Sequence, residues 1–377
     1  MSEPVPILFT IPNFINAGSG RAMLDLIEQL DSRWFVPSVC VAEKGGDLDK
    51  EVARLGIPFL EAPFTIPARP YSSLLLRARR VAQLFREGRY LLWHSFNYSN
   101  DYTEPIIARM AGARAWIYWK SNMGWGSRAW LLRTLFATRV IALNSDMMRD
   151  FFSSKLFARK ARLIHLGVKT TLYHPKVPAR FNIRQNLHIP ADTVVVGSVA
   201  KLFPPKGHQT LLRAVARIPG THLLIAGRPL DAEYALLLKN LAQSLNIRDR
   251  VHFLGEVKDI PELLAELDIF VLASYGKGEG CPAALVEAMS SGRACIATDV
   301  PGSRDLIVPG KNGLIVPPED VGALAEALNQ LTTSLEKRRH FGAAARKCIL
   351  DNFTIEKEAA AHIKVYEEIL SDAGIRF

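Results

Sequence analysis

From Glu279 to Met289 the chain reads Glu-Gly-Cys-Pro-Ala-Ala-Leu-Val-Glu-Ala-Met, directly after an apolar stretch and a glycine-rich loop. Pro282 predicts the first turn of a helix, because its missing N–H would be unpaired there in any residue. The N–H groups of residues 283–285 would then point outward at the positive end of the helix dipole and form a phosphate cradle. Glu279 and Glu287 would accept hydrogen bonds from sugar hydroxyls beside it. The alternative is an ordinary strand–loop–helix with two surface glutamates.

This stretch resembles the Glu-Gly-x-Pro-x-x-Leu-x-Glu-Ala-Met signature of retaining glycosyltransferases with the GT-B fold. The resemblance is to the large, family 4-like bacterial group that contains mannosyl- and glucosyltransferases of lipopolysaccharide, capsule and glycolipid synthesis. It implies an α/β fold with two Rossmann-like domains, whose parallel sheets face each other across a cleft. It also implies a C-terminal helix that crosses back to the first domain.

The composition is that of an ordinary globular protein, with 49% hydrophobic and 22% charged residues, and 377 residues suffice for two domains. Four cysteines are scattered without a C-x-x-C pair, which argues against a disulfide framework or a zinc cluster and indicates a reducing compartment. Because neither a signal peptide nor a membrane-spanning apolar run is visible, we expect a cytoplasmic protein. The formal charge of +10 fits an anionic partner, and a solvated basic surface explains it equally well.

Apolar stretches alternate with amphipathic ones in both halves of the chain, which predicts parallel sheets covered by helices. In the first half, strands are predicted at residues 6–11, 35–42, 57–60, 91–93, 115–119 and 139–143. Helices are predicted between them at residues 21–30, 48–55, 73–86, 101–110 and 127–137. In the second half, strands are predicted at residues 193–199, 222–226, 251–254, 269–273, 294–297 and 314–316.

The alternation is interrupted near residues 168–190, where Tyr-His-Pro-Lys-Val-Pro at 173–178 cannot continue a helix. We therefore predict an N-terminal acceptor-binding domain at residues 1–170, a linker at 171–190 and a nucleotide-sugar-binding domain at 191–352. By the resemblance, residues 353–377 form a helix that packs on the N-terminal domain.

Two lysines follow the first predicted strand of the second domain. Lys201 and Lys206 resemble the cations of the family's Gly-Arg-Leu-x-x-x-Lys-Gly loop, which binds the donor diphosphate, but Lys201 replaces an arginine and offers a point charge instead of a fork. Fixed cations and a helix N-terminus can stabilise a departing diphosphate without a metal ion. The chain also contains Asp47-Leu48-Asp49, a pattern that holds a divalent metal in other folds, yet both aspartates are more simply helix-start residues. We therefore expect neither a metal nor another cofactor.

The resemblance also implies roles for side chains around this loop. Glu279 would hold hydroxyls of the donor sugar and orient its anomeric carbon, and Glu287 would accept hydrogen bonds from the ribose. Val257 would contact the base through its backbone, and Arg228 would lie near the base, although a surface salt bridge explains Arg228 equally well. Backbone groups facing the sugar and the diphosphate would come from Gly280, Cys281, Pro282, Ala283, Ala284 and Leu285.

Three residues of the first domain are further candidates by the resemblance. Gly18 would allow close backbone approach to the diphosphate at a helix N-terminus. His94 would contact the donor sugar from the end of its strand, where ligands bind in open parallel sheets, with a structural histidine as the alternative. Lys120 follows the next strand and would favour an anionic acceptor.

Basic and tryptophan-rich stretches of the first domain suit contact with an anionic membrane. The alternative is that the tryptophans are buried and the arginines are solvated. Aromatic residues do not interleave with basic ones as in a nucleic-acid platform, so we expect no nucleic acid as a partner. The stretches contain Trp116, Trp119, Trp125, Arg128, Trp130 and Arg133, together with Arg77, Arg79 and Arg80 on an earlier helix.

We therefore predict a metal-independent transferase that moves a hexose from a nucleoside-diphosphate sugar, with UDP as the expected carrier. The resemblance implies that the transfer retains the anomeric configuration. The acceptor would be a hydroxyl of a polysaccharide, a lipopolysaccharide or a lipid-linked glycan. Two alternatives stay open at this point. One is another GT-B enzyme, such as a sucrose-synthase-like transferase or a phosphorylase, and the other is a catalytically silent nucleotide-sugar binder.

Overall fold

The computed structural model describes residues 3–15, 17–99, 101–124, 129–178, 182–276 and 279–375, and the chain divides into two compact units. The first unit comprises Met1–Leu166 together with Ile355–Phe377, and the second comprises Gly167–Thr354. The segment predicted as a linker, 171–190, lies within the second unit. There, the Arg184 guanidinium donates to the Glu266 carbonyl at 2.9 Å and to the Asp268 carboxylate at 2.7 Å. Prolines interrupt the helical pattern of this segment, but Tyr173, Ile183, Leu187 and Ile189 pack on the core of the unit.

Seven parallel strands form the sheet of the first unit, in the order β3-β2-β1-β4-β5-β6-β7. They are β1 (Val5–Ile11), β2 (Phe35–Val41), β3 (Phe59–Glu61), β4 (Leu92–Ser95), β5 (Ala115–Lys120), β6 (Arg139–Ala142) and β7 (Ala161–Leu163). The intervening helices are α1 (Ala17–Glu28), α2 (Asp49–Arg54), α3 (Leu74–Gln83), α4 (Glu104–Ala111), α5 (Ala129–Phe136), α6 (Ser145–Phe151) and α7 (Lys155–Ala158).

Six parallel strands form the sheet of the second unit, in the order β10-β9-β8-β11-β12-β13. They are β8 (Val195–Val199), β9 (His222–Ala226), β10 (Val251–Gly255), β11 (Ile269–Leu272), β12 (Ala294–Thr298) and β13 (Leu314–Val316). Its helices are α8 (Ile183–Asn186), α9 (His208–Ala216), α10 (Ala232–Ser244), α11 (Ile260–Ala265), α12 (Ala283–Ser290), α13 (Ser303–Leu306), α14 (Val321–Thr332) and α15 (Leu335–Asn352).

The last helix, α16 (Ile355–Asp372), belongs to the first unit and packs against α1. The Arg162 guanidinium on β7 donates to the Glu368 carboxylate at 2.9 Å, and Arg139 on β6 pairs with Asp372 at 2.8 Å. These contacts join the C-terminal helix to the edge of the first sheet.

Alternating side chains of the second sheet enter two hydrophobic cores, one on each face. Ile269 and Val271 of β11 belong to one core, and Phe270 and Leu272 belong to the other. This two-sided burial explains why the strand is a continuous apolar run, as parallel strands covered by helices on both faces usually are. The predicted α/β class with two Rossmann-like sheets is confirmed.

Strand order reverses at one point in each sheet. The first strand β1 pairs with both β2 and β4, and β8 pairs with both β9 and β11. In the first sheet, the connection after β1 therefore runs toward one edge and the connection after β4 runs toward the other. In the second sheet, the connections after β8 and β11 diverge in the same way. A crevice opens beyond the carboxyl ends of such strands, and ligands of open α/β sheets bind there.

Two local predictions for the first unit were wrong. The helix expected from Arg21 begins at Ala17, because Gly20 packs against Phe14, whose Cδ1 atom lies 2.6 Å from the position of an added Cβ. Gly20 in this first turn therefore serves packing, whereas Gly18 has open space around it. The strand β7 was not predicted, since three residues with a central arginine give almost no periodic signal.

Among the described residues, none of the helices combines the length and the apolar character that crossing a bilayer requires.

Candidate active site

The carboxyl ends of β8 and β11 bring together the two loops that the sequence singled out. The loop after β8 carries Lys201 and Lys206, and the loop after β11 carries Glu279. Because β8 and β11 are hydrogen-bonded neighbours at the switch point of the second sheet, both loops leave the sheet at one place.

Lys206 and Glu279 form an ion pair between these loops, 73 residues apart in sequence. The same Glu279 oxygen, Oε1, accepts a hydrogen bond of 2.6 Å from the Ser274 hydroxyl. Glu279 is buried, whereas the Lys206 side chain is 27% exposed. The lysine therefore keeps access to solvent while the carboxylate is held by two donors.

Gly207 allows the two loops to approach this closely. Its φ is +69°, and a Cβ added there would lie 1.9 Å from the Ala273 carbonyl oxygen. The Tyr275 N–H also donates to the Pro205 carbonyl oxygen at 2.9 Å, which holds the two loops together through the backbone. Only glycine fits both the left-handed backbone and the space at position 207.

The start of α12 corrects part of the phosphate-cradle prediction. The Ala283 N–H donates to the Cys281 carbonyl at 3.0 Å, and the Leu285 N–H donates to the Pro282 carbonyl at 2.9 Å. These two groups are therefore used within the turn and do not point outward unpaired. The Ala284 N–H has no acceptor among the residues that the structure describes, so the helix start offers this donor to a ligand.

The loop before α12 rests on the segment after β12. A Cβ on Gly302, whose φ is +83°, would lie 3.0 Å from the Gly280 carbonyl oxygen and 2.9 Å from Pro282 Cδ. The Thr298 hydroxyl donates to the Ser274 carbonyl at 2.5 Å, and the Ser303 hydroxyl lies 2.7 Å from the Thr298 carbonyl. This packing fixes the backbone of the loop before any ligand arrives.

Positive charge accumulates beside the Lys206–Glu279 pair. Burial lowers the pKa of Lys201, and the charges of Arg228 and Lys206 lower it further, while Glu256 opposes them. Arg228 and Lys206 therefore lie close enough to Lys201 for their charges to act on it. An anion bound among them would relieve their repulsion, which is the electrostatic requirement of a diphosphate site.

The remaining predicted site residues lie around this centre. Gly280 and Pro282 are buried, and Cys281, Glu287 and Val257 are half-buried. Arg228 is exposed, and its carbonyl accepts a 3.0 Å hydrogen bond from the Leu202 N–H, which places it beside the lysine loop. Their predicted contacts with a base, a ribose or a sugar stay predictions.

His208, the first residue of α9 after Gly207, was not among the predicted site residues. Its ring is fully buried, and neither ring nitrogen has a hydrogen-bond partner within the described ranges. Burial lowers the pKa of His208 to about 4, assisted by the charge of Lys206. The ring is therefore neutral at neutral pH and adds no charge to the site.

In the first unit, His94 is enclosed by protein. Its ring is fully buried between β4 and α16, and Nδ1 lies 2.7 Å from the Tyr366 hydroxyl. The rings of Phe9, Phe96 and His362 pack around it. The predicted contact between His94 and a donor sugar is not compatible with this position. The alternative, in which His94 is a structural histidine, agrees with it.

Lys120 is also enclosed. Its ammonium donates to the carbonyl oxygens of Asn122 at 2.6 Å and Gly124 at 3.3 Å and lies 5.0 Å from the centre of the Phe151 ring. Burial lowers the pKa of Lys120 to about 7, and the charge of Arg133 contributes. A side chain in this position has no surface to offer an anionic acceptor, so the predicted direct contact does not fit the structure.

Gly18 lies in the first turn of α1 and is exposed, with no atom within 4 Å of an added Cβ. Open space around a helix start is compatible with the predicted backbone approach of a ligand, which stays a prediction. Asp49 begins α2, and its carboxylate accepts a 2.7 Å hydrogen bond from the Gly45 N–H. That contact agrees with a helix-start role for Asp49.

A buried ion pair behind β4 and β5 was not predicted. The Glu104 carboxylate accepts hydrogen bonds from Thr10, Trp93, Ser95 and Asn97 at 2.5–3.1 Å. The Arg133 guanidinium lies 3.8 Å from this carboxylate and donates to three carbonyl oxygens of the loop after β4, those of Asn97, Ser99 and Asp101.

The burial of these residues also bears on the predicted membrane contact of the tryptophan-rich stretch. Arg133 is buried and lies 4.2 Å from the Tyr118 ring centre, and Trp116 and Trp119 are buried as well. The alternative interpretation, in which the tryptophans are buried, therefore holds for Trp116 and Trp119. Trp125 and Arg128 lie outside the described residues.

Two Rossmann-like units, one with lysines and a helix start at its switch point, define an α/β protein of the GT-B class. Residues 179–348 match the family Glycosyl transferases group 1. The lipopolysaccharide core biosynthesis mannosyltransferase LpcC of Rhizobium leguminosarum bv. viciae is 30% identical over 250 residues, which cover 64% of this chain and 67% of that protein. The chain belongs to the group 1 glycosyl transferases.

Two other relatives show the range of the family. The lipopolysaccharide core biosynthesis glycosyltransferase LpsE of Rhizobium meliloti is 30% identical over 182 residues, so the match spans 48% of this chain and about half, 52%, of that protein. The GDP-mannose-dependent alpha-(1-6)-phosphatidylinositol monomannoside mannosyltransferase of Mycolicibacterium smegmatis is 29% identical over 326 residues, covering 81% and 83% of the two chains.

Solved structures agree on the fold. A glycosyltransferase from Rickettsia africae matches with a TM-score of 0.86 and 18% identity over 98% of this chain and 100% of that one. The Anabaena protein HepE, solved with UDP and glucose, matches with a TM-score of 0.83 and 22% identity over 96% and 99% of the two chains.

Proposed function

We propose that this protein is a retaining, metal-independent glycosyltransferase that moves a hexose from a nucleoside-diphosphate sugar to a hydroxyl of a glycan. The observation that carries the proposal is the pairing of Lys206 with the buried Glu279 beside Lys201, at the switch point of the second sheet. The pair would place a cation that binds the phosphates next to a carboxylate that binds the sugar, in a site that is formed before the donor arrives.

The cations supply the main electrostatic stabilisation. As the bond between the anomeric carbon and the diphosphate oxygen breaks, negative charge grows on that oxygen. Lys201 and Lys206 are held by the loop after β8, and the Ala284 N–H at the start of α12 has no acceptor within the described ranges. Charges and dipoles fixed before the reaction stabilise a developing oxyanion without reorganisation.

Retention requires the acceptor oxygen to bond to the anomeric carbon on the face from which the diphosphate leaves. The acceptor proton passes to the departing diphosphate oxygen, so the products are the glycoside and the nucleoside diphosphate. Glu279 keeps its place through Ser274 and Lys206, and it would accept hydrogen bonds from the sugar hydroxyls and orient the anomeric carbon.

For the donor base, UDP is the first choice and GDP the second. The structural neighbour HepE was solved with UDP, whereas the mycobacterial relative is named for GDP-mannose. We propose that Val257 and Arg228 border the base, since both lie beside the lysine loop or the end of β10. Glu287 on α12 would bind the ribose.

The acceptor side is proposed from the relatives. Two of them are named for lipopolysaccharide core biosynthesis and one for a phosphatidylinositol mannoside. We propose a polysaccharide, lipopolysaccharide or lipid-linked glycan as the acceptor, reached from the cytoplasmic side at an anionic membrane surface.

The proposal is tested by donor binding followed by turnover. A thermal-shift series with UDP, GDP and their hexose conjugates identifies the donor, because a ligand that binds only the native state raises the melting temperature. Release of the nucleoside diphosphate is then measured with and without chelator, and the first-formed anomer of the released hexose is read by NMR. Activity that disappears in chelator and returns with a divalent ion contradicts metal independence. Stabilisation without any turnover points to a silent binder.

A further inference from the structure

The outward face of α3 exposes several large apolar side chains. Leu75, Leu76 and Leu84 are 62%, 57% and 57% exposed, and Tyr71, one turn before the helix, is 63% exposed. Four apolar residues of this size within 14 positions are an unusual concentration on one surface segment.

The opposite face of α3 accounts for its packing, so the exposed leucines are not needed for the fold. Ala78, Ala82 and Phe85 are buried, and α3 packs against α4. These residues recur at helical spacing, which defines the inward stripe. The leucines therefore stand on a face that the first unit leaves uncovered.

The same face is strongly basic. Residues 69–89 contain six arginines and a single acidic residue, Glu87. Arg77 is used locally, since it donates to the carbonyl oxygens of Pro67 and Pro70 at 2.7 and 2.9 Å. Within the described part of the chain, no ion pair involves the exposed Arg79, Arg80, Arg86 or Arg89.

We propose that the outward face of α3, from Tyr71 to Arg89, docks on an anionic lipid bilayer. Leucines flanked by unpaired arginines match the boundary between acyl chains and anionic headgroups, where the apolar side chains enter and the guanidinium groups stay with the phosphates. A second copy of the chain does not fit as the occupant, because it would set the same cluster of arginines against itself. This inference rests on the proposed acceptor at an anionic membrane surface, and it names the face of the first unit that would meet that surface.

Two variants of the full chain test the two components separately. Arg79→Glu with Arg80→Glu reverses charge, and Leu76→Ser with Leu84→Ser removes the apolar contacts. The matched controls lie on the second unit, where Arg213→Glu with Arg248→Glu makes the same change in net charge on exposed side chains. Leu236→Ser removes a leucine that is 58% exposed, close to the exposure of Leu76.

Binding is measured by co-sedimentation with vesicles of phosphatidylcholine alone or of equal parts phosphatidylcholine and phosphatidylglycerol. We expect the protein to bind the anionic vesicles only. Its affinity for them should fall about fivefold for each arginine that loses its charge, and further where the charge is reversed. Loss of the two leucines should weaken it about tenfold or more, and raising the salt concentration should release the protein. Both control variants should bind like the unaltered chain, and the circular dichroism spectra of all variants should coincide.

Three results would overturn the proposal. The first is equal sedimentation with neutral and anionic vesicles, or with neither. The second is equal weakening by the control variants, which would show a general charge effect. The third is a concentration-dependent dimer in analytical ultracentrifugation that the leucine variant abolishes, which would assign the face to a second copy. None of these results depends on turnover, so they leave the proposed reaction to its own test.

Discussion

Nδ1 of His94 and the hydroxyl of Tyr366 lie 2.7 Å apart, although 272 residues separate them in the chain. Both side chains are fully buried, and burial raises the pKa of Tyr366 well above its ordinary value and lowers that of His94 well below it. Both groups are therefore neutral near pH 7. This contact attaches the C-terminal helix to β4 of the first unit.

Replacing Tyr366 with Phe should destabilise the first unit by about 1–3 kcal/mol, because the buried His94 nitrogen loses its partner. All six tryptophans lie between Trp34 and Trp130, within the first unit, so urea unfolding followed by tryptophan fluorescence reports on this unit. Tyr71→Phe is the control, since that hydroxyl belongs to a side chain that is 63% exposed. Equal midpoints for the two variants would show that the contact contributes nothing to stability.

His208 should make the second unit sensitive to acid. Its pKa is lowered from 6.5 to about 4 in the folded chain, so the unfolded chain binds more protons between these values. Stability attributable to this group is present above pH 6.5 and is lost as the pH falls towards 4, by about 3 kcal/mol in full.

The His208→Leu variant should therefore lose less stability than the unaltered chain on going from about pH 7 to about pH 5, with a difference of about 2 kcal/mol. Urea unfolding followed by far-ultraviolet circular dichroism measures this. The exposed His340, on α15 of the same unit, supplies the control variant His340→Leu. Parallel pH dependences for all three proteins would exclude His208 as the source.

Gly207→Ala should lower the free energy of unfolding by more than the backbone strain alone accounts for. Gly220 has nearly the same φ, +68° against +69°, but nothing lies within 4 Å of an added Cβ there, whereas at Gly207 the Ala273 carbonyl oxygen lies 1.9 Å away. We expect Gly220→Ala to cost about 1 kcal/mol and Gly207→Ala at least 2 kcal/mol more, since the loops after β8 and β11 must separate. Comparison of the two unfolding free energies, with nucleotide binding measured alongside, decides whether the close approach is needed.

The strands were predictable from the sequence because each is a short apolar run with helices on both sides. In the second unit, residues 222–226 and 314–316 were predicted with the bounds that the structure gives. The loops around Lys206 and Glu279 were predictable for a related reason, since both follow a recognisable strand. Their direct pairing was not, because sequence position alone does not say which side chains meet.

The first unit shows where sequence reasoning fails. The end of a strand was correctly predicted for His94, but the face of the sheet on which its side chain lies was not. The helix that covers this face, α16, comes from the far end of the chain. Lys120 and Arg133 were interpreted as surface cations, yet Glu104 and backbone carbonyls bind the Arg133 guanidinium inside the unit. Long-range polar contacts of this kind leave no periodic signal in the sequence.

The Lys206–Glu279 pair should contribute to stability and to catalysis in different ways. In Lys206→Met, the buried carboxylate of Glu279 loses its cation and keeps the hydrogen bond from the Ser274 hydroxyl, which should destabilise the second unit by about 2–4 kcal/mol. In Lys206→Met with Glu279→Gln, the buried group is neutral, so much of that stability should return.

Activity should follow a different rule, because a neutral pair cannot stabilise a departing diphosphate. We expect both variants to lose about 10²–10³-fold in kcat, the range seen when one fixed donor to an oxyanion is removed. Measuring unfolding free energy and nucleoside-diphosphate release on the same preparations separates the two effects, with Lys239→Met on the exposed face of α10 as the control. If activity returned together with stability in the double variant, Lys206 would be a structural partner of Glu279, and the charge on the departing phosphates would have to be stabilised by Lys201 and Arg228 instead.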